Sequence, residues 1–408
     1  MALDEVAGGA TISERPTDTG GRPSRERLRI VDADAHCDAP YEMWADYLPA
    51  NLRELAPRIE NGEEHDWIVF EGKKRPVMMI SNQAGRTGKE FKMVGRRSEM
   101  RPVWLPQTRL ADMDEDGIDA AVLFGGGPLP TANLDLYLAS FDAYNRWLWD
   151  FAGADRKRLA PVAYVPMREV DETIRFVREA AQLGFRSVNI PAFPMAKDAV
   201  SSSIEVRALN RSQSAALTGD PGGDRSYADP EFDALWETLQ DLDMTVTMHL
   251  GGRVPRFGEK KYFLADMPMS KVAMIEPIAI FIFNAIFQRF PKLRLVTVES
   301  GAGWMAWVTE YMDRTWEKQR YWTESPLTEP PSFFMDRNVY ASFINDRTAI
   351  LNRELPGGRN IMWSSDYPHS ETTFPKSREV IARDFVGIPE ADTRAIICDR
   401  ARQVYSVP

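Results

Sequence analysis

Basic residues are outnumbered and histidine is scarce: the 408 residues hold 50 Lys and Arg against 60 Asp and Glu, with four His and a net charge of −10. That balance excludes a general nucleic-acid binder, because duplex affinity comes mostly from neutralised phosphates. Two cysteines, Cys37 and Cys398, cannot staple a disulfide framework, so a reducing, cytoplasmic setting is expected. Long apolar runs are missing too. The most apolar stretch, MIEPIAIFIFNAIF at 274–287, is interrupted by Glu276, Pro277 and Asn284 and is too short for a bilayer, so it is expected as a core helix with no membrane partner. The N-terminus lacks the apolar segment of a secretory signal, and residues 1–28 are expected to form a disordered tail.

What is present is a 44% hydrophobic chain in which short apolar runs recur at 30–36, 120–126, 160–166, 187–193, 245–252, 294–301, 339–343 and 361–368. Helical spacing fills several of the gaps, in NLDLYLASFDAYNRWLWDFAGA, DETIRFVREAAQLG, PEFDALWETLQDLD, EPIAIFIFNAIFQRF and WMAWVTEYMDRTWEKQ. Strands alternating with helices imply parallel βαβ units, and eight of them imply an α/β fold of the (β/α)8 TIM-barrel type over residues 29–408. An open doubly wound sheet is disfavoured, since no glycine-rich phosphate turn follows the first strand. Two insertions interrupt the repeat, at 37–119 after strand one, with a hairpin expected in DWIVFEGKKRPVMMI, and at 193–228 after strand four. Loops at these strand ends cover a barrel's active face.

The polar exceptions cluster at the strand ends. Strand one, IVDADAH, places Asp32, Asp34 and His36 on one face by alternation. Unpaired polar groups on an inward face cost several kcal/mol each, roughly, unless something binds them, and a cation is the simplest candidate. His249 closes strand five, Glu299 strand six and Asp366 strand eight, and catalytic groups in this architecture come from the ends of several strands. Between Ser81 and Arg101 lies a basic island of Arg86, Lys89, Lys92, Arg96, Arg97 and Arg101. It reads as a solvated loop or as a clamp for an anionic substrate, with Arg96 and Arg97 as the candidate contacts.

The segments DADAH, MHLGG, FPKLRLVTVESGAGW and IMWSSDYPHS resemble the amidohydrolase superfamily, in particular the amidohydrolase-related group that includes metal-dependent decarboxylases, over residues 28–405. The resemblance implies that Asp34 and His36 stand where the family keeps its first-strand ligand pair, that His249 is the strand-five ligand and Asp366 the strand-eight aspartate. Glu299 holds the position of a second histidine ligand in many relatives, strand four has no lysine to bridge two metals, and Ala39 stands where a glutamate is often found. Two imidazoles with three carboxylates suit iron or manganese better than zinc. That set is similar to the nonhaem di-iron monooxygenase branch of platensimycin and platencin diterpenoid biosynthesis. The likeness implies two irons bridged by Glu299, dioxygen, an external reductant and hydroxylation of a bulky apolar carboxylate or its coenzyme A thioester. The alternative is a single zinc or manganese ion in a hydrolase or nonoxidative decarboxylase, and a third reading is a noncatalytic barrel.

In that frame Asp366, Glu299 and His369 are the candidate catalytic groups, and Asp32 and Glu371 are expected to orient the ligands. His369 and Glu371 also fit a simpler role, capping the helix that follows. Trp304, just past Glu299, is a candidate substrate contact; Trp104, Trp147, Trp149, Trp307 and Trp363 are expected in the core, and His65 at the surface. Exposed barrel helices often pair, and a homodimer is expected.

Overall fold

The computed structural model describes residues 27–195, 225–250 and 260–408; nearly all of the expected tail and most of the second insertion lie outside them. All eight apolar runs contain strand. β1 (Val31–Cys37) is followed by the inserted β2 (Arg58–Glu60), β3 (Trp67–Phe70) and β4 (Lys73–Pro76), then by β5 (Ala120–Gly125), β6 (Leu159–Pro161), β7 (Ala163–Tyr164), β8 (Ser187–Asn189), β9 (Thr245–His249), β10 (Leu295–Val298), β11 (Val339–Phe343) and β12 (Ile361–Trp363). The third run splits at Val162, so that β6 pairs with β5 and β7 with β8. The result is two parallel sheets in chain order, β1-β5-β6 and β7 through β12. At the far end the His36 amide donates to the Tyr367 carbonyl and the Asp366 amide to the Asp34 carbonyl, tying β1 to the segment after β12.

These strands were legible because both of their faces are covered. Every residue of β1 and β5 is buried, and a parallel strand with helices over it reads as a continuous apolar run. The covering helices include α1 (Pro106–Asp116), α2 (Leu134–Ala152), α3 (Val170–Leu183), α4 (Asp233–Asp241), α5 (Phe263–Val272), α6 (Ile275–Phe283), α7 (Met305–Gln319), α8 (Pro331–Asn338) and α9 (Ser377–Asp384). Asn133 caps α2 by accepting from the Leu136 amide, and α3 stops at Gly184, whose φ of 115° and contact with the Trp149 ring leave no room for a Cβ.

Three expectations need correction. The apolar helix expected over 276–290 ends at Phe283, because Ala285 takes a left-handed φ of 57° and breaks the hydrogen-bond ladder before a short turn at Ile286–Arg289. The expected hairpin is β3–β4, turned by Glu71 and Gly72 at positive φ as a tight two-residue loop requires, but β2 adds a third antiparallel strand. His65 is half-buried against the Trp67 ring, 4.5 Å between centroids, rather than at the surface.

Candidate metal centre

The register of β1 on β5 slips between Asp32 and Ala35, so the two acids of DADAH have different surroundings. Asp32 accepts from the Ser365 amide at 2.9 Å, the Ser365 hydroxyl and the Asp34 amide at 3.1 Å, which fastens β1 to the end of β12. Burial pushes its carboxyl up to about 7 despite those bonds. Asp34 is fully buried with neither carboxylate oxygen hydrogen-bonded.

Asp34 faces residues from three other strand ends. His36 Nε2 lies 3.4 Å from Asp34 Oδ1 and 3.1 Å from Asp366 Oδ1, and His249 Nε2 lies 3.4 Å from Asp34 Oδ1. Glu299 completes the ring, with Oε2 3.7 Å from His249 Nδ1, and His369 Nδ1 approaches Asp366 Oδ1 at 2.9 Å. Asp34, His36, His249 and Glu299 each offer a donor atom within 4.8 Å of the others, and so do His36, Glu299, Asp366 and His369. Glu299 and Asp366 both sit at a φ of 55°, a region non-glycine residues avoid at a cost of about 1–3 kcal/mol each. Such strain collects where a side chain must be aimed at a site.

Both oxygens of Asp34, both of Asp366, and Nε2 of His36 and His249 are buried without a hydrogen-bond partner, a state costing about 1–3 kcal/mol per group. They approach one another at the right separation for a shared cation: ligands about 2.1 Å from one ion stand roughly 3.0–3.4 Å apart in octahedral or tetrahedral geometry. The residues therefore fit a divalent metal. Their electrostatics agree. Burial raises the Asp34 carboxyl, but His249 and His36 overcome it and hold it at about 2; burial likewise opposes, and His369 and His36 reverse, the shift that leaves Asp366 well below the carboxylate range. The His36 imidazole, whose burial favours the neutral form, is driven well upward by Asp34 and Asp366.

Reasoning from sequence missed Lys271. It projects from α5, with Nζ 3.3 Å from Glu299 Oε1 and 2.8 Å from Glu371 Oε2. Burial would lower its pKa, but Glu299 and Glu371 keep it raised, while Glu299 itself is raised by burial and by Asp366. A lone lysine in the Met-rich ADMPMSKVAM carries no spacing signal. Arg109 is equally hidden in sequence; it is buried in α1, donates to the His36 carbonyl and stacks over Tyr367 at 4.5 Å. Phe124 at the end of β5 packs on both ligand imidazoles, 6.4 Å from His36 and 5.1 Å from His249.

The remaining candidates separate. His369 stacks on His36 with centroids 3.7 Å apart and Glu371 pairs with Lys271, so both stand at the centre; the helix they were weighed as capping starts only at Ser377. Arg97 pairs with Glu42, lies over Trp104 at 4.8 Å and lines a cavity of about 290 Å³ that begins two residues past His36. Arg96 is exposed and does not line it. Trp304 donates to the Ser300 carbonyl at the start of α7. A cavity of about 410 Å³ opens on Glu299 and Lys271 themselves. Within the basic island Arg86, Lys92 and Arg101 are also engaged, by Glu99 and Asp112.

The chain belongs to the amidohydrolase family, whose model matches residues 31–407. No curated protein matches the sequence. Among solved structures, it is similar to an amidohydrolase from Mycobacterium avium subsp. paratuberculosis K-10, with 19% identity and a TM-score of 0.68 over 94% of this chain and 99% of that one. It is also similar to a dihydroxybenzoic acid decarboxylase from Polaromonas sp. JS666 with bound manganese, at 15% identity and a TM-score of 0.61 over 93% and 98%. A third is the 5-carboxyvanillate decarboxylase from Sphingomonas paucimobilis, at 17% identity and a TM-score of 0.58 over 94% and 100%.

These likenesses correct the oxygenase expectation. The similar structures are decarboxylases and an amidohydrolase, one of them holding manganese, and they support neither a di-iron monooxygenase nor its diterpenoid setting, dioxygen and reductant. The site supplies a physical reason. Glu299 was expected to bridge two irons, yet one of its oxygens is engaged by the ammonium of Lys271 at 3.3 Å. Among the described residues no helix is long and apolar enough to cross a membrane.

Proposed function

We propose that the chain is a metal-dependent nonoxidative decarboxylase of an aryl carboxylic acid, built as a single (β/α)8 barrel and using one divalent ion, with manganese favoured. The observation that carries this reading is the set of unpartnered, buried donors on Asp34, His36, His249 and Asp366 at ligand-to-ligand separations. The two carboxylates in this donor set suit manganese. Support for the barrel comes from eight apolar runs that form parallel strands in chain order, the third split into β6 and β7, and from the backbone bonds that join β1 to the segment after β12.

Asp34, His36, His249 and Asp366 would hold the ion, which when bound supplies positive charge for the substrate's carboxylate and neighbouring oxygen. The chain's own groups do the rest. Tyr41, Trp44, Ile68 and Leu129 wall the 290 Å³ cavity and would exclude water from the ring, while Arg97 at its edge can meet an anionic substituent. When the bond to carbon dioxide breaks, its electron pair stays on the ring carbon and one proton must replace the lost group. His369, in contact with Asp366, is placed to hold that proton and deliver it. Lys271 neutralises Glu299, so the acid adds no repulsion toward the incoming carboxylate.

Protein loaded with manganese and offered 2,6-dihydroxybenzoate and 5-carboxyvanillate should release carbon dioxide without consuming oxygen, and His369→Gln should lower kcat by about 10²-fold with metal retained. Hydrolysis of ester or amide substrates by the same protein, with no carbon dioxide from any aryl acid tried, would overturn the reading in favour of a hydrolase.

A further inference from the structure

Trp307 was expected in the core, but it is 62% exposed on α7. It is not alone. Tyr311 is 49% exposed, Tyr321 77% and Trp322 75%, and the helical bonding of α7 continues past Gln319, with the Arg320 amide donating to the Trp316 carbonyl and the Thr323 amide to the Gln319 carbonyl. At 3.6 residues per turn, Trp307, Tyr311, Arg314, Lys318, Tyr321 and Trp322 fall in one stripe about 100° wide. All six are exposed.

Side chains of this kind bury about 150–250 Å² each, so the four rings present roughly 500 Å² of uncovered aromatic surface. A standard interface takes about 800 Å² from each partner, and the stripe with its flanking charged stems reaches that scale. Aromatic residues and arginine are also the types enriched at interface centres.

We infer that this stripe is an isologous contact between two copies of the chain, laid antiparallel. A two-fold contact demands self-complementarity, and the order of residues supplies it. An axis crossing the helix between Arg314 and Thr315 sets Trp307 against the second copy's Trp322 and Tyr311 against the second copy's Lys318, a cation–π pair. The same operation brings Glu310 and Glu317 within side-chain reach of the second copy's Lys318 and Arg314. A parallel pairing would instead stack like charges on one another. The rings are already ordered for contact: Trp307 and Tyr311 stack at 6.0 Å, Arg314 lies over Tyr311 at 5.1 Å, and Trp322 Nε1 donates to Gln319 Oε1 at 2.5 Å.

Sedimentation velocity over a hundredfold range of protein concentration tests this. The wild-type chain should sediment as a dimer, and Trp322→Glu should weaken association at least 100-fold while leaving the far-ultraviolet circular dichroism unchanged. Lys318→Glu should also weaken it, and adding Glu310→Lys to that variant should restore it, a rescue that misfolding cannot mimic. Arg314→Cys should cross-link to its counterpart with a short bismaleimide, since Cys37 and Cys398 are both buried. A wild-type monomer throughout, or a dimer indifferent to Trp322→Glu and not linked through position 314, overturns the inference.

Discussion

Five of the buried acids among the described residues form two groups that are alike in burial and differ in what surrounds them. Asp32, Asp112 and Asp116 are fully partnered: Asp32 by Ser365, Asp112 by Tyr367 and Arg101, and Asp116 by the Ser377 amide at 2.8 Å and hydroxyl at 2.5 Å. Asp34 and Asp366 are just as buried and hold four oxygens with no hydrogen bond. The first group joins α1, α9 and the end of β12 into a frame around the site. The second is the part of the site that a ligand must complete. A buried acid's role is therefore read from what its oxygens meet, since depth of burial does not separate the groups.

The comparison can be broken at several points. The largest effect is expected at Asp366→Asn, which removes the charge from the ligand group: decarboxylation should fall by at least about 10³-fold in steady-state assays, with the fold intact by circular dichroism. Lys271→Met should lower kcat by about 10²-fold while manganese stays bound, because Glu299 loses its counter-charge but gains a free oxygen for the ion. Asp116→Ala should leave kcat unchanged and cost about 1–3 kcal/mol in urea unfolding, since Ser377 at the start of α9 loses its acceptor. Similar stability losses and no rate effect at Asp366 would erase the distinction between the groups.

A smaller effect concerns protons. The folded-state pKa of His36 is raised, so in the metal-free protein its stabilising contribution is present at low pH and is lost as pH rises through the folded value. Metal binding needs the neutral imidazole and must release that proton. Calorimetric titrations of manganese in buffers of different ionisation enthalpy should show about one proton released per ion near neutral pH, with affinity rising as pH rises. No buffer dependence would mean that His36 is not displaced from its charged form.

How much of this was readable in the sequence depends on the range of the interaction. The eight apolar runs were, because most of their strand residues are buried, and the polar residues at the ends of β1, β9, β10 and β12 stood out as exceptions to a local rule. β2 was not, because Arg58–Glu60 is polar and partly exposed and becomes a strand only by pairing with β3. Lys271 and Arg109 were not, since their partners lie 28 and 73 residues away and no periodicity links them. Trp307 was misplaced because spacing tells which residues share a helix face and leaves open whether that face meets the core.

The most direct test of the account is the metal content of protein loaded with manganese and then desalted, measured beside Asp34→Asn and Asp32→Asn. About one tightly held ion per chain, lost in Asp34→Asn and kept in Asp32→Asn, is the predicted result. No stoichiometric metal in the wild-type protein, or equal loading in all three, would contradict it.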